Sequence, residues 1–579
     1  MSWSGFGARL ISPSVTEFRL WAPEAEHVSV AVKGVEHPMH RDELGVFAAV
    51  VAAGPGDAYK FWIDNEMAVP DPASRLQKND VHGESVIVDP SYDWKHTEWV
   101  GRPWHETVIY EVHAGAYGGF AGITAQLPRL AALGITAIEL MPIADFPGRH
   151  NWGYDGVLTY APDSAYGTIA ALKQMIDTAH GLKVQVFLDV VYNHFGPDGN
   201  YLNVYAKSFF RDDVQTPWGS AIDFRQEPVR RFFIENALYW LHDYRFDGLR
   251  FDAVHAINDR NFLAELATDI RAATPMGRHI HLIVENEHND AALLGAELPE
   301  QKFDAQWTDD WHHCVHVLLT GETEGYYGDF LNPAEQLARC MREGFAYQGE
   351  ASAHADGAPR GTPSAHLPST AFVICLQNHD QIGNRALGER LTVLANPQAL
   401  SAAVALLLLT PQIPMLFMGE EWGETKPFLY FTDHNAELGK LVREGRRKEF
   451  AKFVAFTDPE RRSKIPDPNA PATFAASCPT PTENDWTALY KACLKIRREQ
   501  IIPRMQGCKP VEAVALSESA IRARWRMNDG AILTIAANFG ATPLACDTTG
   551  QGQLFTTSTE RHSAGILPAF TTTAWLEPA

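Results

Sequence analysis

Apolar strand-like runs alternate with amphipathic helix-like segments from about residue 104 to about residue 420, and this alternation limits the possible folds most. TVIYEVHAGAY, ITAIELMPI, KVQVFLDVVYNH and FDGLRFDAVH are strand-like, whereas ITAQLPRLAALG and EPVRRFFIENALYWLHDYR are helix-like. Strands that alternate with helices predict parallel βα units. Eight such units fit the segment, so we expect an α/β fold built on a closed (β/α)8 TIM barrel.

The two ends of the chain have a different pattern. Residues 1–92 contain short alternating runs such as EFRLWAP and HVSVAVKG between Gly/Pro turns, and residues 506–579 contain SAIRARWRM and AILTIAANFG. These patterns predict an N-terminal and a C-terminal β-sandwich domain. The barrel domain is then expected at residues 93–505, with insertions at 194–225 and 312–368 after the third and sixth strands.

Charge and cysteine content restrict the partners and the compartment. Among 579 residues, 49 Lys and Arg stand against 71 Asp and Glu, which gives a formal net charge of −22. Nucleic acids and anionic membranes are bound through basic patches, so neither is an expected partner. The seven widely spaced cysteines form no metal-binding motif, which indicates reduced thiols in a cytoplasmic protein. We expect no metal and no cofactor.

One apolar run could be mistaken for a membrane span. LSAAVALLLLTPQIPMLFM, at residues 400–418, is interrupted by Pro411, Gln412 and Pro414. These residues predict a buried helix, a turn and a buried strand in place of one long apolar helix.

Ionisable and polar residues collect where four of the predicted strands end. A lone aspartate at a strand end is usually a helix cap, but the active sites of such barrels lie at the carboxyl ends of the strands. Four such ends therefore predict a catalytic site. The residues are Asp189, Asn193 and His194 after the third strand, Arg250, Asp252 and His255 after the fourth, Glu285 and Glu287 after the fifth, and His379, Asp380 and Arg385 after the seventh.

Carboxylates on three strands meet the needs of glycosyl transfer. One must stay ionised as a nucleophile, and a second must keep a proton for the leaving oxygen. Arg250 shares a strand face with Asp252, so we expect it to lower the pKa of Asp252. Glu285 follows an apolar run, where partial burial is expected to raise its pKa. Asp380 is expected to bind sugar hydroxyls and to help distort the ring.

Four short segments carry a family resemblance. DVVYNH, GLRFDAVH, the glutamate at the fifth strand end and QNHD resemble, in order and spacing, the motifs of the α-amylase family of glycoside hydrolases. The resemblance implies a retaining double displacement, with Asp252 as nucleophile, Glu285 as acid/base and Asp380 as transition-state stabiliser. Glu287 is the competing acid/base candidate.

Flanking segments resemble the trehalose-releasing branch of this family. They are WGYDGVLTYAPDSAYGT, NHFGPDGNYL, TPWGSAIDF, GFAYQGE and MLFMGEEWGETKPFLYFTDH. This implies hydrolysis of the α-1,4-glucosidic bond next to the trehalose end of maltooligosyl trehalose, which releases trehalose and a maltooligosaccharide. It also implies action after maltooligosyltrehalose synthase, which converts the reducing end of a maltooligosaccharide to trehalose.

Further residues are expected to contact the substrate. The turn NWGYDG is predicted to line the −1 subsite, with Tyr154 stacking on the sugar, although packing under the second strand is an alternative. Trp218 has both a binding and a loop-packing interpretation, and His194 and His379 are expected to donate to sugar hydroxyls. The full predicted set is Trp152, Tyr154, Asp155, Asn193, His194, Trp218, Arg250 and His379. DWHH, interpreted as strand, places His312 and His313 on opposite faces, so they are not expected to share a metal.

Two other functions fit parts of the pattern. A glucan branching enzyme has the same catalytic residues but transfers the glucan to a sugar hydroxyl. A non-catalytic glucan-binding protein on a decayed barrel is the alternative of another class, but all three predicted catalytic residues are present.

Overall fold

The computed structural model describes residues 5–257, 259–546, 552–558 and 565–579. Within them, two packed sheets precede a closed barrel, and a further β domain follows it, so the predicted fold class is confirmed. The first four residues of the predicted N-terminal domain, and parts of the predicted C-terminal domain, lie outside the described residues.

The N-terminal domain consists of two antiparallel sheets with the strand orders β1-β2-β6-β5 and β4-β3-β7-β10-β9, and β8 pairs with β7. Alternation along the strands forms its core: Phe18 and Leu20 of β2 are buried, as are Tyr59 and Phe61 of β7. The strands are β1 (Gly7–Ser12), β2 (Val15–Trp21), β3 (Val28–Val32), β4 (Val35–Pro38), β5 (His40–Arg41), β6 (Val46–Val51), β7 (Ala58–Ile63), β8 (Met67–Val69), β9 (Gln77–Lys78) and β10 (Glu84–Val86).

Eight parallel strands then close into a barrel in the order β11-β12-β15-β18-β19-β20-β23-β24. The remaining strands of this region form three two-stranded hairpins outside the barrel. In chain order the strands are β11 (Ile109–Val112), β12 (Ala137–Leu140), β13 (Ala144–Asp145), β14 (Leu158–Pro162), β15 (Gln185–Val190), β16 (Phe210–Thr216), β17 (Gly219–Ile222), β18 (Gly248–Phe251), β19 (His281–Glu285), β20 (Ala305–Trp307), β21 (Glu350–Ala351), β22 (Pro359–Arg360), β23 (Phe372–Cys375) and β24 (Ile413–Phe417).

Amphipathic helices cover the barrel. The first of them buries Phe120, Ile123 and Leu127 and ends at Gly134, as predicted, because that residue adopts a φ of 114°. The α-helices are α1 (Gly119–Leu133), α2 (Ile169–Gly181), α3 (Leu202–Tyr205), α4 (Glu227–His242), α5 (Arg260–Ala273), α6 (Asp309–Thr320), α7 (Pro333–Glu343), α8 (His379–Gly383), α9 (Leu391–Leu394), α10 (Pro397–Leu409), α11 (Ala436–Phe450), α12 (Pro459–Ser463), α13 (Pro471–Ser477), α14 (Asp485–Ile496) and α15 (Ile502–Met505).

The C-terminal domain packs against the barrel through the apolar helix α10. Its main sheet has the order β25-β26-β27-β31-β29, and β28 pairs with β30. Thr572 Oγ1 donates to the carbonyl oxygen of Ala402 on α10 at 2.7 Å. The strands are β25 (Lys509–Ser517), β26 (Ala520–Arg526), β27 (Ile532–Asn538), β28 (Leu544–Ala545), β29 (Gln553–Thr556), β30 (Ile566–Leu567) and β31 (Thr571–Glu577).

The apolar run near residue 400 forms α10 and β24, as predicted. In the part of the chain that the structure describes, every helix is too short or too polar to cross a membrane.

The strand interpretation of DWHH is wrong. The sixth barrel strand ends at Trp307, and His312 and His313 lie on α6, with both side chains buried. The chain turns from strand to helix at Thr308–Asp309, and two acidic residues in the first turn favour a helix start there. On a helix, His312 and His313 do not face opposite sides as they would on a strand.

Candidate active site

Arg250 lies at the centre of the carboxyl end of the barrel, with its side chain fully buried. Its Nη1 atom lies 2.7 Å from Asp189 Oδ2 and 2.8 Å from Asp252 Oδ1, and its Nη2 atom lies 2.9 Å from Glu285 Oε2. The ring of Trp307 stacks on the guanidinium group at 4.1 Å. The predicted shared face of Arg250 and Asp252 is confirmed, and one cation also contacts the predicted acid/base.

Strand register explains this cluster. Asp189 on β15 pairs directly with Arg250 on β18, and Glu285 on β19 pairs with Trp307 on β20. Because side chains alternate along a strand, residues at these positions face the barrel axis together. The parallel strands thus bring together groups that are more than 60 residues apart in the chain.

Asp252 is held by two partners, one for each carboxylate oxygen. Asn193 Nδ2 donates to Asp252 Oδ2 at 2.8 Å, while Arg250 contacts Oδ1. The next residue, Ala253, adopts left-handed backbone angles of φ 39° and ψ 51°, which are costly for a residue with a side chain. Its N–H donates to Glu285 Oε2 at 2.8 Å. The strained turn after Asp252 therefore helps to orient Glu285.

Glu285 is partly buried, as predicted, with 18% of its side chain exposed. Its Oε2 atom contacts the Arg250 guanidinium and the N–H of Ala253, so a cation and a dipole lie next to the carboxyl group. The side chain of Glu287 is 60% exposed, and its Oε2 atom lies 3.6 Å from His255 Nε2. The geometry favours Glu285 over Glu287 because Glu285 shares a cation with Asp252.

His379 connects Asp380 to the barrel interior. Its Nδ1 atom lies 2.5 Å from Glu111 Oε1, and its Nε2 atom lies 3.4 Å from Asp380 Oδ1. Although burial disfavours the charged ring, Asp380 and Glu111 raise the pKa of His379 to about 9. The ring is therefore a cation at neutral pH. It can donate a hydrogen bond and carries positive charge next to Asp380.

The predicted aromatic residues of NWGYDG pack around His379. Tyr154 stacks on it, with ring centroids 5.0 Å apart, and Trp152 meets it edge-on at 5.4 Å. Tyr154 OH also donates to Asp189 Oδ2 at 2.6 Å, and Trp152 Nε1 donates to the carbonyl oxygen of Leu429. Trp152 is buried, so it supports the histidine ring more than it forms an open platform.

The other predicted binding residues are His194, Trp218 and Asp155, and they differ in their contacts and in their exposure. His194 Nε2 pairs with the carbonyl oxygen of Tyr154 at 3.0 Å, and burial lowers the pKa of His194. Trp218, on the hairpin β16–β17, stacks on the His194 ring at 4.6 Å and is 47% exposed. Asp155 Oδ2 accepts from Asn151 Nδ2 at 2.7 Å. Trp218 therefore lies at the rim of the site, whereas the Asp155 carboxylate is hydrogen-bonded to another residue of the protein.

Sequence reasoning missed two buried acids below the site. Glu111 and Glu139 pair directly on β11 and β12, and each follows apolar residues within its strand. Burial, with repulsion from Asp189 and Glu111, raises the pKa of Glu139 well above its usual range. Burial also raises the pKa of Asp189 to about 7, against the opposing effect of Arg250. A glutamate inside a predicted buried strand was the signal that could have identified both.

A metal centre is not evident in this region. Within residues 5–257, 259–546, 552–558 and 565–579, no group of three or more His, Cys, Asp or Glu side chains could hold a metal ion.

Three families match consecutive parts of the chain. Carbohydrate-binding module 48, the isoamylase N-terminal domain, matches residues 5–90, and the alpha amylase catalytic domain matches residues 94–218. A domain of unknown function, DUF3459, matches residues 511–574. The order of the matches follows that of the three structural regions.

Individual proteins match most of the chain. The malto-oligosyltrehalose trehalohydrolase of Deinococcus radiodurans is 42% identical over 84% of this chain and 81% of its own length. That of Saccharolobus solfataricus is 39% identical over 85% of this chain and 87% of its own length. The crystal structure of a Salmonella typhimurium protein described as a candidate alpha amylase is 42% identical and superposes over all of both chains with a TM-score of 0.93.

Proposed function

Because this chain belongs to the malto-oligosyltrehalose trehalohydrolases, and so is a glycoside hydrolase that hydrolyses maltooligosyl trehalose, we propose that Asp252, Glu285 and Asp380 carry out the reaction by a retaining double displacement. The observation that supports this mechanism most is the shared contact of Asp252 and Glu285 with one guanidinium group. The bridge brings both acids to one point at the carboxyl end of the barrel, as two carboxyl groups that flank a single scissile bond require.

In the first step, Asp252 attacks the anomeric carbon of the glucan unit in the −1 subsite. Glu285 gives its proton to the glycosidic oxygen, so the bond breaks and trehalose leaves as a neutral alcohol. A covalent β-glycosyl ester on Asp252 remains. Arg250 and Asn193 each contact one Asp252 oxygen and hold the carboxylate in place for attack.

In the second step, Glu285 takes a proton from a water molecule that attacks the same carbon. The ester bond to Asp252 breaks, and a maltooligosaccharide with an α-configured reducing end is released. Asp380 stabilises the charged transition state and binds sugar hydroxyls, and the cation of His379 helps to position Asp380.

The substrate-binding residues are part of the same proposal. Tyr154 and His379 form a stacked pair beside Asp380 and contact the sugar in the −1 subsite. Trp218 extends the site along the rim through His194. Asn193, Arg250, Trp152 and Asp155 support these groups and shape the pocket around the substrate.

We also propose the place of the reaction. Its substrate is a maltooligosaccharide with a trehalose unit at its reducing end, so the enzyme acts after maltooligosyltrehalose synthase. The wide spacing of the seven cysteines supports a reducing compartment, the cytoplasm.

A product assay tests the function and the mechanism together. The protein is incubated with maltooligosyl trehalose and, in parallel, with the matching plain maltooligosaccharide, and the sugars are separated by chromatography. We expect free trehalose from the first substrate and little reaction with the second. Proton NMR in the first minutes should show the new reducing end in the α form. A β form contradicts retention, and branched products without trehalose indicate a branching enzyme.

A further inference from the structure

Asp309 enters the active site from the sixth barrel strand. It is the first residue of α6 and lies two positions after Trp307, the last residue of β20. Thr308 between them is nearly extended, with φ −111° and ψ 86°, so the side chains of Trp307 and Asp309 leave the backbone on the same side. Trp307 covers Arg250, and Asp309 therefore lies towards the substrate side of this pair.

Charged and titratable groups face Asp309 from several elements. They are Glu285 on β19, Asp380 on α8, Arg360 on β22, Asp310 on α6, Tyr326 in the insertion that follows the sixth strand and Cys375 on β23. A helix N-terminus favours an ionised aspartate. Burial and the charges of Glu285 and Asp380 outweigh this effect and raise the pKa of Asp309 to about 8.

The neighbouring Asp310 differs sharply from Asp309. Asp310 Oδ2 accepts hydrogen bonds from Asn289 Nδ2 and from the N–H of Ala346, and Oδ1 lies 2.9 Å from Arg360 Nη2. These contacts fix the insertion to the barrel. Among the described residues, no hydrogen-bond partner is found for the Asp309 carboxyl group, which is half-buried beside Glu285 and Asp380. A half-buried carboxyl group at this end of the barrel can take its hydrogen-bond partner from a bound sugar.

The barrel order indicates which sugar supplies that partner. β20 lies between β19 and β23, and β18, which precedes Asp252, is two strands away. Asp309 is therefore beside the proposed acid and on the side away from the nucleophile. Under the proposed function, on which this inference rests, Glu285 gives its proton to the oxygen that leaves with trehalose.

We propose that Asp309 is a substrate-positioning residue that donates a hydrogen bond, as a neutral carboxyl group, to a hydroxyl of the leaving trehalose unit. The hydrogen bond holds the leaving sugar while Glu285 protonates the glycosidic oxygen. A neutral donor at this point adds no negative charge beside Asp380 and does not repel the charge that Glu285 gains when it gives up its proton.

Asp309→Asn and Asp309→Ala test the proposal, and Glu335→Gln, at an exposed acid on α7, is the control. Asparagine keeps a donor and cannot ionise. We expect Asp309→Ala to raise KM for maltooligosyl trehalose about 2- to 12-fold, the range for one hydrogen bond. Asp309→Asn should stay close to the wild type near neutral pH and keep its low KM above about pH 8, where the wild type loses the donor.

Binding measurements separate this inference from the proposed reaction. Titration calorimetry in an Asp252→Ala background follows maltooligosyl trehalose binding without turnover. A dissociation constant that rises about 2- to 12-fold for Asp309→Ala and not for Asp309→Asn supports the proposal, even if the mechanism is wrong. Equal constants for Asp309→Ala and the Glu335→Gln control overturn it. Failure of all variants to bind this substrate overturns both the inference and the proposed function.

Discussion

The Nη2 atom of Arg250 on β18 lies 2.9 Å from Oε2 of Glu285 on the neighbouring barrel strand β19. The same guanidinium group contacts Asp252 through Nη1. The proposed nucleophile and the proposed acid/base thus share a single buried cation. Variants of the two acids should therefore change the rate of the chemical step alone. Variants of Arg250 should change both this rate and the free energy of unfolding.

Asp252→Ala and Glu285→Gln should each lower kcat by about three orders of magnitude or more, because each removes one member of a catalytic set. Trehalose release measured against time gives kcat, and circular dichroism checks the fold. Glu287→Gln is the matched control, and its exposed side chain predicts a change of less than about threefold. A loss at Glu287 equal to that at Glu285 would move the acid/base role to Glu287.

Arg250→Met should destabilise the protein by about 3–5 kcal/mol, because three carboxylates are left around a buried site without their cation. Urea unfolding measures this change. Lys78→Met is the control, since its ion pair with Glu84 is exposed and worth about 0–1 kcal/mol. Arg250→Lys should also lose activity, because an ammonium group cannot contact Asp252 and Glu285 through separate nitrogens. Equal stability of the Arg250→Met and Lys78→Met variants would contradict this prediction.

The charge of His379 should make stability depend on pH. Asp380 and Glu111 raise its pKa to about 9 against the effect of burial, from about 6.5 in the unfolded chain. Its contribution is complete below about pH 6.5 and is lost as pH rises to about 9. The free energy of unfolding should therefore fall across this range in the wild type and fall less in His379→Gln. His40→Gln, at an exposed histidine, should keep the slope of the wild type. Identical slopes in all three proteins would contradict the prediction.

Trp218→Ala should weaken substrate binding more than chemistry. The exposed indole stacks on His194 at the rim, and an aromatic contact contributes about 0.5–1.5 kcal/mol, or roughly 2- to 12-fold in KM. Steady-state kinetics with maltooligosyl trehaloses of increasing length measures the effect, and kcat should change little. Met276→Ala, which removes a fully exposed side chain, is the control. A loss of kcat without a rise in KM would show that Trp218 is not a binding residue.

Gly383→Ala should lower both stability and activity. A methyl group at this position in α8 would lie 2.0 Å from Cζ2 of Trp152, whose ring packs against His379. Overpacking of this kind costs about 1–3 kcal/mol. Gly445→Ala is the matched helical control, because nothing lies within 4 Å of the added carbon, and it should gain roughly 0.5–1 kcal/mol. Thermal unfolding and trehalose release measure both variants, and an unaffected Gly383→Ala would contradict the close packing.

Local patterns predicted the barrel and the strand ends well. The alternation of apolar runs with amphipathic helices gave the order of the eight strands, and period-two alternation put Arg250 beside Asp252. Both depend on residues that are near one another in the chain, where spacing alone fixes which side chains share a face. The same reasoning identified Asn193, which contacts the carboxylate of Asp252.

Contacts made by barrel closure could not be predicted in this way. Glu111 and His379 are 268 residues apart, and they meet only because β11 and β24 pair. Asp309 was not predicted for a different reason. No proline or glycine separates the strand from the helix in the run KFDAQWTDDWHH. The acidic pair in the first turn of α6 was the local signal of that boundary.

Barrel closure also has a consequence for the chain as it is synthesised. The first strand, β11, begins at Ile109, and its partner β24 ends at Phe417. At about 5–20 residues per second, a ribosome needs roughly 15–60 s to make the segment between them. During this interval the edge of β11 lacks its final neighbour, and the nascent sheet offers unpaired backbone groups to other chains. The same long-range pairing that assembles the catalytic centre therefore makes the growing chain dependent on protection from aggregation until its eighth strand has been made.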